Sequence, residues 1–371
     1  MSAVIFREVE AISGLKIGIA TLNAEKSLNA LNFEMVSLLT PQLKLWQSDK
    51  TIAMVLLQGA GEKAFCAGGD VVSLYKAMND ATKNEYVERF FSAEYELDYL
   101  IHCFEKPLLV WGNGIIMGGG LGLMAGASHR VVTETSRIAM PEITIGLYPD
   151  VGGSYFLTKM PEQLGLFLGL TGASINSEDA KYVGLADYFL KAEFKNKLFD
   201  ELVVTNWGQT VALNHQKLDS VLLKLQQESG KPLQSNIKAN LAVIKQMNAL
   251  ATLNEKISFL ANVDTDNVWL QKAIKSLKHG SPLSMCLIEQ QLIRGQDLPL
   301  AECFQMELGL SVKCGQFGEF EEGVRALLID KDGQPVWRYQ SIENVPVDVI
   351  ADFFESPWSA QTHPLKSLLK D

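Results

Sequence analysis

The sequence predicts an α/β protein: residues 1–200 form a core of strands and helices, and residues 201–371 form a helical region packed on that core. Three observations carry the prediction. Short apolar runs of strand character alternate with helical periods and glycine punctuation through the first half. Beyond residue 200 the texture is helical throughout. No low-complexity linker interrupts the change, so the two halves are expected to pack closely.

In chain order, strand-like runs fall at 4–9, 15–22, 52–58, 107–115 and 130–133. Helical periods between them span 33–48, 71–78, 85–103, 121–127 and 163–170. The second half adds helices at 211–227, 236–250, 268–277 and 282–293. The last of these is the clearest, with Ser281 as N-cap and Pro282 at the first helical position. Residues 356–371 show no clear period and read as loosely ordered.

A chain of 371 residues, 47% hydrophobic and 20% charged, can bury a large core. Its net charge of −10 argues against nucleic acid or an anionic membrane as partner, since both call for a basic surface. Five scattered cysteines without Cys-x-x-Cys, and five histidines without ligand spacing, speak against a disulfide framework or a metal site. The opening MSAVIFREVE enters a strand pattern at once and leaves no room for a targeting segment, and no run approaches the roughly 18 apolar residues of a membrane span. The expected compartment is the cytoplasm.

Residues 140–153, Met-Pro-Glu-Ile-Thr-Ile-Gly-Leu-Tyr-Pro-Asp-Val-Gly-Gly, are the most informative stretch. They set two carboxylates, Glu142 and Asp150, each directly after a proline. Pro149 lacks an N–H and biases Tyr148 away from helix, so the acids sit on irregular backbone and are aimed by turns. Such acids suit acid–base or nucleophilic chemistry. The structural alternative is that Glu142 caps a turn and Asp150 is an N-cap of the helix that follows.

Two glycine-rich segments each follow a strand and precede a helix. They are Lys63-Ala-Phe-Cys-Ala-Gly-Gly-Asp70 and Gly112-Asn-Gly-Ile-Ile-Met-Gly-Gly-Gly-Leu-Gly122. Glycine lets backbone approach a ligand, and a helix start directs unpaired N–H groups at it. Two such loops, one N–H each, would make an oxyanion hole. Two rival readings stand beside this one. Gly120-Leu-Gly122-Leu-Met-Ala125 fits a dinucleotide fingerprint, although Glu142 follows a proline rather than ending a strand. In the second rival reading the glycines serve helix–strand packing alone.

Taken together, Ala64-Phe-Cys-Ala-Gly-Gly-Asp70, Gly118-Gly-Gly-Leu-Gly122, Pro141-Glu142 and Pro149-Asp-Val-Gly-Gly153 resemble the crotonase (enoyl-CoA hydratase/isomerase) superfamily in content and order. Lys26-Ser-Leu-Asn-Ala-Leu31, Leu170-Thr-Gly-Ala-Ser-Ile, Glu178-Asp-Ala-Lys and Gly184-Leu-Ala-Asp187 extend the resemblance over residues 10–190. It implies a crotonase-like spiral of β-β-α repeats followed by helices, and an acyl-CoA thioester substrate. It also implies oxyanion donors at the backbone N–H groups of Gly69 and Gly119.

The departures point to a branch. Hydratases of the superfamily carry a second glutamate after the triple glycine, where this chain has Gly122, and tend to have glycine where it has Asp150. The Pro-Asp-Val-Gly-Gly form resembles the thioesterase branch that hydrolyses 3-hydroxyisobutyryl-CoA in valine degradation. The tail Glu322-Gly-Val-Arg-Ala-Leu-Leu-Ile-Asp-Lys-Asp332 and the Ser281-Pro-Leu-Ser284 helix start resemble that branch too. Carried over, the resemblance gives Glu142 the role of nucleophile or base and has Asp150 orient the substrate hydroxyl or water. Glu94 falls where the branch has a substrate-contacting glutamate; as a helix-face acid it would simply be solvated. The backbone of Phe65, Cys66 and Ala67 is expected near the adenine, and Lys26 is a candidate for the CoA phosphates unless it is only a solvated loop lysine. The tail motif reads as a packing stripe of Val324, Ala326, Leu327 and Leu328. The resemblance implies no cofactor beyond the CoA of the substrate, and the sequence leaves a homo-oligomer open. A different crotonase reaction, such as double-bond isomerisation, and a non-catalytic CoA-binding role are the alternatives.

Overall fold

The computed structural model describes residues 2–80 and 85–370. Among the described residues there are nine strands: β1 Val4–Glu10, β2 Lys16–Leu22, β3 Ile52–Gly59, β4 Ala64–Cys66, β5 Leu108–Gly112, β6 Ile115–Met117, β7 His129–Val132, β8 Arg137–Ala139 and β9 Tyr188–Phe189. They form a six-stranded sheet, β1-β2-β3-β5-β7-β9, and a three-stranded sheet, β4-β6-β8. Only β1 runs antiparallel to its neighbour in the larger sheet.

The β-β-α repeat is written in this order. β3, β5 and β7 enter the larger sheet, and each is followed by a short strand, β4, β6 or β8, in the smaller one. A helical segment follows each pair: Val71–Met78, Gly119–Ala125 and Glu142–Ile145. The predicted strand 107–115 is therefore two strands, broken at Asn113-Gly114. Gly114 has φ +64°, and a Cβ there would lie 2.1 Å from the Lys63 carbonyl oxygen, so no other residue fits without moving backbone. β4 and β8 escaped the sequence reading because three residues are too few to show a period.

The chain forms two units by its contacts. One comprises Met1–Gly69, Leu97–Ile138 and Ile175–Ser235, the other Asp70–Glu96, Ala139–Ser174 and Asn236–Asp371. Sequence texture changes near residue 200, whereas each unit draws on three stretches of chain, so most of the helical half falls in the second.

In the first unit, alternate strand residues bury one face of the larger sheet. Ile17 and Ile19, Met54 and Leu56, and Leu109 and Trp111 pack with Leu198 and Leu202 of the helix Lys195–Val203 and with Leu218, Leu222 and Leu225 of the helix Val211–Ser229. Each such side chain contributes about 1.5–3 kcal/mol relative to exposure. The helix Lys195–Val203 was not foreseen.

In the second unit, Ser281 caps the helix Pro282–Gly295 by accepting from Ser284 N–H at 3.0 Å, as expected. The helices Leu253–Ala261 and Leu300–Phe317 are additions to the sequence reading, the former announced by a Thr252/Glu255 capping box. The tail motif packs through Val324 and Ala326 only, and Leu327 and Leu328 are exposed. Its Arg325 instead forks between Glu322, Asp330 and Asp332. The expectation of loose order at the C-terminus also fails: His363, Leu365 and Leu368 are buried, and Gln305 Nε2 donates to the Leu365 carbonyl at 3.0 Å. Two leucines and one histidine suffice to anchor a segment without periodicity. Asp371 lies outside the described residues.

Candidate active site

The first unit holds Lys26, Phe65, Cys66, Ala67, Gly69 and Gly119. Parallel pairing of β4 with β6 lays the two glycine loops side by side. A Cβ on Gly120 would lie 2.2 Å from the Cys66 carbonyl oxygen, a closeness that only glycine permits. Gly69 bridges Leu31, but Leu31 N–H takes the Gly68 carbonyl at 2.8 Å, so the pairing passes on either side of Gly69 and does not use its N–H. At the second loop, Leu121 and Gly122 N–H both return to the Gly118 carbonyl, at 2.7 and 3.1 Å. The Gly119 N–H heads the helix Gly119–Ala125 outside this ladder.

The flank of this loop is tied by a residue the sequence reading did not single out. The buried Asn29 accepts from Ala24 N–H at 3.0 Å and donates to the carbonyls of Ala60 and Ala64 at 2.9 and 3.0 Å. Ala67 N–H donates to the Leu28 carbonyl at 3.1 Å. Lys26 is thereby placed, exposed, on a turn docked against residues 65–67. Phe65 and Cys66 bury their side chains completely, so backbone is what this stretch offers.

The second unit holds Glu94, Glu142 and Asp150, all buried. Burial excludes the solvated helix-face alternative for Glu94. The capping alternative for Asp150 fails too: the helix Gly153–Phe156 has Gly152 at its N-cap, with no side-chain bond there. Gly153 N–H donates to the Asp150 main-chain carbonyl at 2.8 Å, and the Glu307 carboxylate accepts from Gly152 N–H at 2.7 Å and Ser154 N–H at 2.8 Å. Asp150 is left to accept from the Tyr95 hydroxyl at 2.7 Å. Nor does the Glu142 carboxylate close its turn, since Leu147 N–H donates to the Glu142 main-chain carbonyl at 3.0 Å. Among the described residues, Glu142 Oε2 and Glu94 Oε1 are buried without a hydrogen-bond partner.

Electrostatics follow from this crowding. Burial, and then the Asp150 charge, push the proton affinities of Glu94 and Glu142 well above the usual carboxylate range. Asp150 is raised by burial to about 6, held from going higher by the Tyr95 bond. Burial raises Glu307 to about 8 against the pull of its bonds to Ser154 and Gly152. In Glu94, Glu142 and Glu307 the Asp150 charge adds to burial and holds protons above the usual carboxylate range, and a carboxylate with raised proton affinity is a stronger base once ionised.

Tyr95, Tyr148, Glu307 and Ser311 are the members of this site that the sequence reading missed. The readable signal was a face of the helix Leu300–Phe317 on which Glu307 and Ser311 sit four residues apart amid apolar neighbours. Gln291, fully buried on the helix Pro282–Gly295, steadies the turn by donating to the Pro149 carbonyl and to Ser154 Oγ. Among the described residues no group of three or more His, Cys, Asp or Glu side chains is arranged to hold a metal ion.

The family model for enoyl-CoA hydratase/isomerase matches residues 17–354, and the chain belongs to that family. It is 38% identical to the mitochondrial 3-hydroxyisobutyryl-CoA hydrolase of Xenopus laevis, over 91% of this chain and 86% of the relative. With the Danio rerio protein of the same description it shares 38% over 92% and 87%. Among solved structures it resembles an enoyl-CoA hydratase from Rhodobacter sphaeroides (TM-score 0.83, 32% identity, 96% of this chain and 98% of that one). It is also similar to a carnitinyl-CoA dehydratase from Mycobacterium thermoresistibile (TM-score 0.84, 29% identity, 96% and 97%). The crotonase-type α/β fold expected from the motifs is thus established. The expectation of a cytoplasmic protein is not: the curated relatives are described as mitochondrial. That expectation rested on how the chain begins, and the first residues of a sequence do not fix its compartment.

Proposed function

We propose that this protein hydrolyses an acyl-CoA thioester, converting 3-hydroxyisobutyryl-CoA and water to 3-hydroxyisobutyrate and CoA. One observation carries the reading: a buried carboxylate cluster in which Glu142 Oε2 has no partner and Asp150 is held by Tyr95. Glycine at position 122, where hydration would need a second acid, speaks against adding water across a double bond. The curated relatives named as hydrolases of this thioester, matched along most of both chains, support the same substrate.

In this reading the thioester oxygen accepts from the Gly69 and Gly119 N–H groups, which stabilise the negative charge that develops there. Glu142 then acts on the carbonyl carbon. As a nucleophile it forms a mixed anhydride, the C–S bond breaks, and the CoA thiolate takes a proton; water then opens the anhydride. As a base it takes a proton from the water that attacks the carbonyl carbon directly, and the adduct collapses by breaking the C–S bond and releasing the CoA thiolate, which takes a proton. Asp150 orients the substrate hydroxyl or that water, and Glu94 contacts the acyl group. The backbone at 65–67 receives the adenine, and Lys26 meets the phosphates. The chemistry calls for no cofactor beyond the CoA of the substrate.

Thiol release from 3-hydroxyisobutyryl-CoA, absent in Glu142→Ala, tests the activity. After a single turnover in ¹⁸O-water, label in the Glu142 side chain identifies an anhydride opened by water at the Glu142 carbon, since the base path leaves that side chain unlabelled.

A further inference from the structure

The hydroxyls behind Asp150 form an unbranched chain. The Tyr95 hydroxyl lies 2.7 Å from Asp150 Oδ2 and 2.7 Å from Ser311 Oγ. Ser311 Oγ lies 2.7 Å from the Tyr148 hydroxyl, which reaches the Glu307 main-chain carbonyl at 2.6 Å. All of these residues are buried. Four contacts therefore link Asp150 to a carbonyl that can only accept.

Each hydroxyl brings one proton, so Tyr95, Ser311 and Tyr148 bring three. With Asp150 ionised, four contacts share three protons, and whichever way the hydroxyls turn, one close oxygen pair lacks a hydrogen. With Asp150 protonated the count closes: Asp150 donates to Tyr95, Tyr95 to Ser311, Ser311 to Tyr148, and Tyr148 to the Glu307 carbonyl. We propose that Tyr148 is a positioning residue that favours the protonated form of Asp150 from two hydroxyls away, through Ser311 and Tyr95.

The proposal assigns opposite effects to two substitutions of the same kind. Tyr148→Phe removes one proton and two contacts, so the ionised form is left with two protons for two contacts and no mismatch; Asp150 becomes more acidic. Tyr95→Phe removes the direct donor to the carboxylate, and Asp150 becomes less acidic. Other titratable groups act on or respond to the Asp150 charge: Glu94 and Tyr95 from the helix Glu85–His102, Glu142 and Tyr148 from its own loop, and Glu307 and Cys314 from the helix Leu300–Phe317. Both phenylalanine variants retain all four carboxyl groups and Cys314.

The test is infrared difference titration of the free protein, with Asp150→Asn identifying the carboxyl band. Because no substrate is present, a failed chain and a failed hydrolase reading are told apart. The expected result is a midpoint shifted down by about half to one pH unit in Tyr148→Phe and up in Tyr95→Phe. In a Ser311→Ala background, which cuts the chain, Tyr148→Phe should shift nothing further. This pair keeps the test sound even if Tyr95→Phe does not fold. An unshifted midpoint in Tyr148→Phe, or a shift that persists without Ser311, overturns the proposal.

Discussion

The Tyr95 hydroxyl donates to Asp150 Oδ2 across 55 residues of sequence and holds that buried carboxylate. The same aspartate presses on Glu94 and Glu142, so the acids of this site titrate as a group rather than singly. What each does chemically follows from which of them keeps its proton.

Replacing Glu142 with Gln keeps the volume and removes the proposed base or nucleophile. Loss of such a group typically costs about 10²–10⁴ in rate. Thiol release should fall by that range while CoA binding, read by calorimetry, stays. Turnover within a factor of a few of the parent would exclude Glu142 from the chemistry.

Stability should fall as pH rises through the neutral range. Burial raises the folded proton affinities of Glu94, Glu142, Asp150 and Glu307, so the folded protein holds more protons than the unfolded chain. Their contribution is fully present below the ordinary carboxylate range and is lost as pH climbs through the folded values. For Asp150 that window runs from 3.8 to about 6, and for Glu307 from 4.5 to about 8. Urea midpoints taken across this range should decline, and Glu142→Gln should flatten the decline. A midpoint that rises between these limits contradicts the electrostatic picture.

Glu307 tests the scaffold beneath the site. Glu307→Ala strands two buried N–H groups, at Gly152 and Ser154, each at a cost of about 1–3 kcal/mol. Glu307→Gln keeps one acceptor and should lose about half as much. Chemical denaturation gives both values, and equal losses in the two variants would mean the cap is not what Glu307 supplies.

Gly120→Ala probes the contact between the glycine loops. The added methyl meets the Cys66 carbonyl rather than a flexible side chain, so the backbone must give way. Overpacking of this kind costs about 1–3 kcal/mol. The melting temperature should drop, and activity should fall further than stability because the Gly119 N–H moves with the loop. An alanine variant with parental melting and rate would show that the loops tolerate separation.

Much of this was legible in the chain. Glu142 and Asp150 announced themselves through the prolines before them and the glycines after them, and the glycine loops through their place between strand and helix. The expectation of irregular backbone holds for Asp150 but not for Glu142, which opens the short helical segment Glu142–Ile145 behind Pro141. Their supports did not. Tyr95 and Ser311 meet over 216 residues, and Glu307 reaches Gly152 over 155. No local period encodes such encounters; only the packed helix Leu300–Phe317 creates them. Short strands such as β8 likewise owe their existence to a neighbour already in place. The cytoplasmic expectation failed for a different reason, since it rested on no physical property of the fold.

The most direct test of the account is thiol release from purified protein offered 3-hydroxyisobutyryl-CoA, 3-hydroxypropionyl-CoA and crotonyl-CoA, with Glu142→Ala and Asp150→Ala alongside. The account predicts rapid release from the two hydroxyacyl thioesters, lost in both variants. No release from any of them, with crotonyl-CoA losing its enoyl absorbance instead, would contradict it and leave a crotonase acting on the double bond.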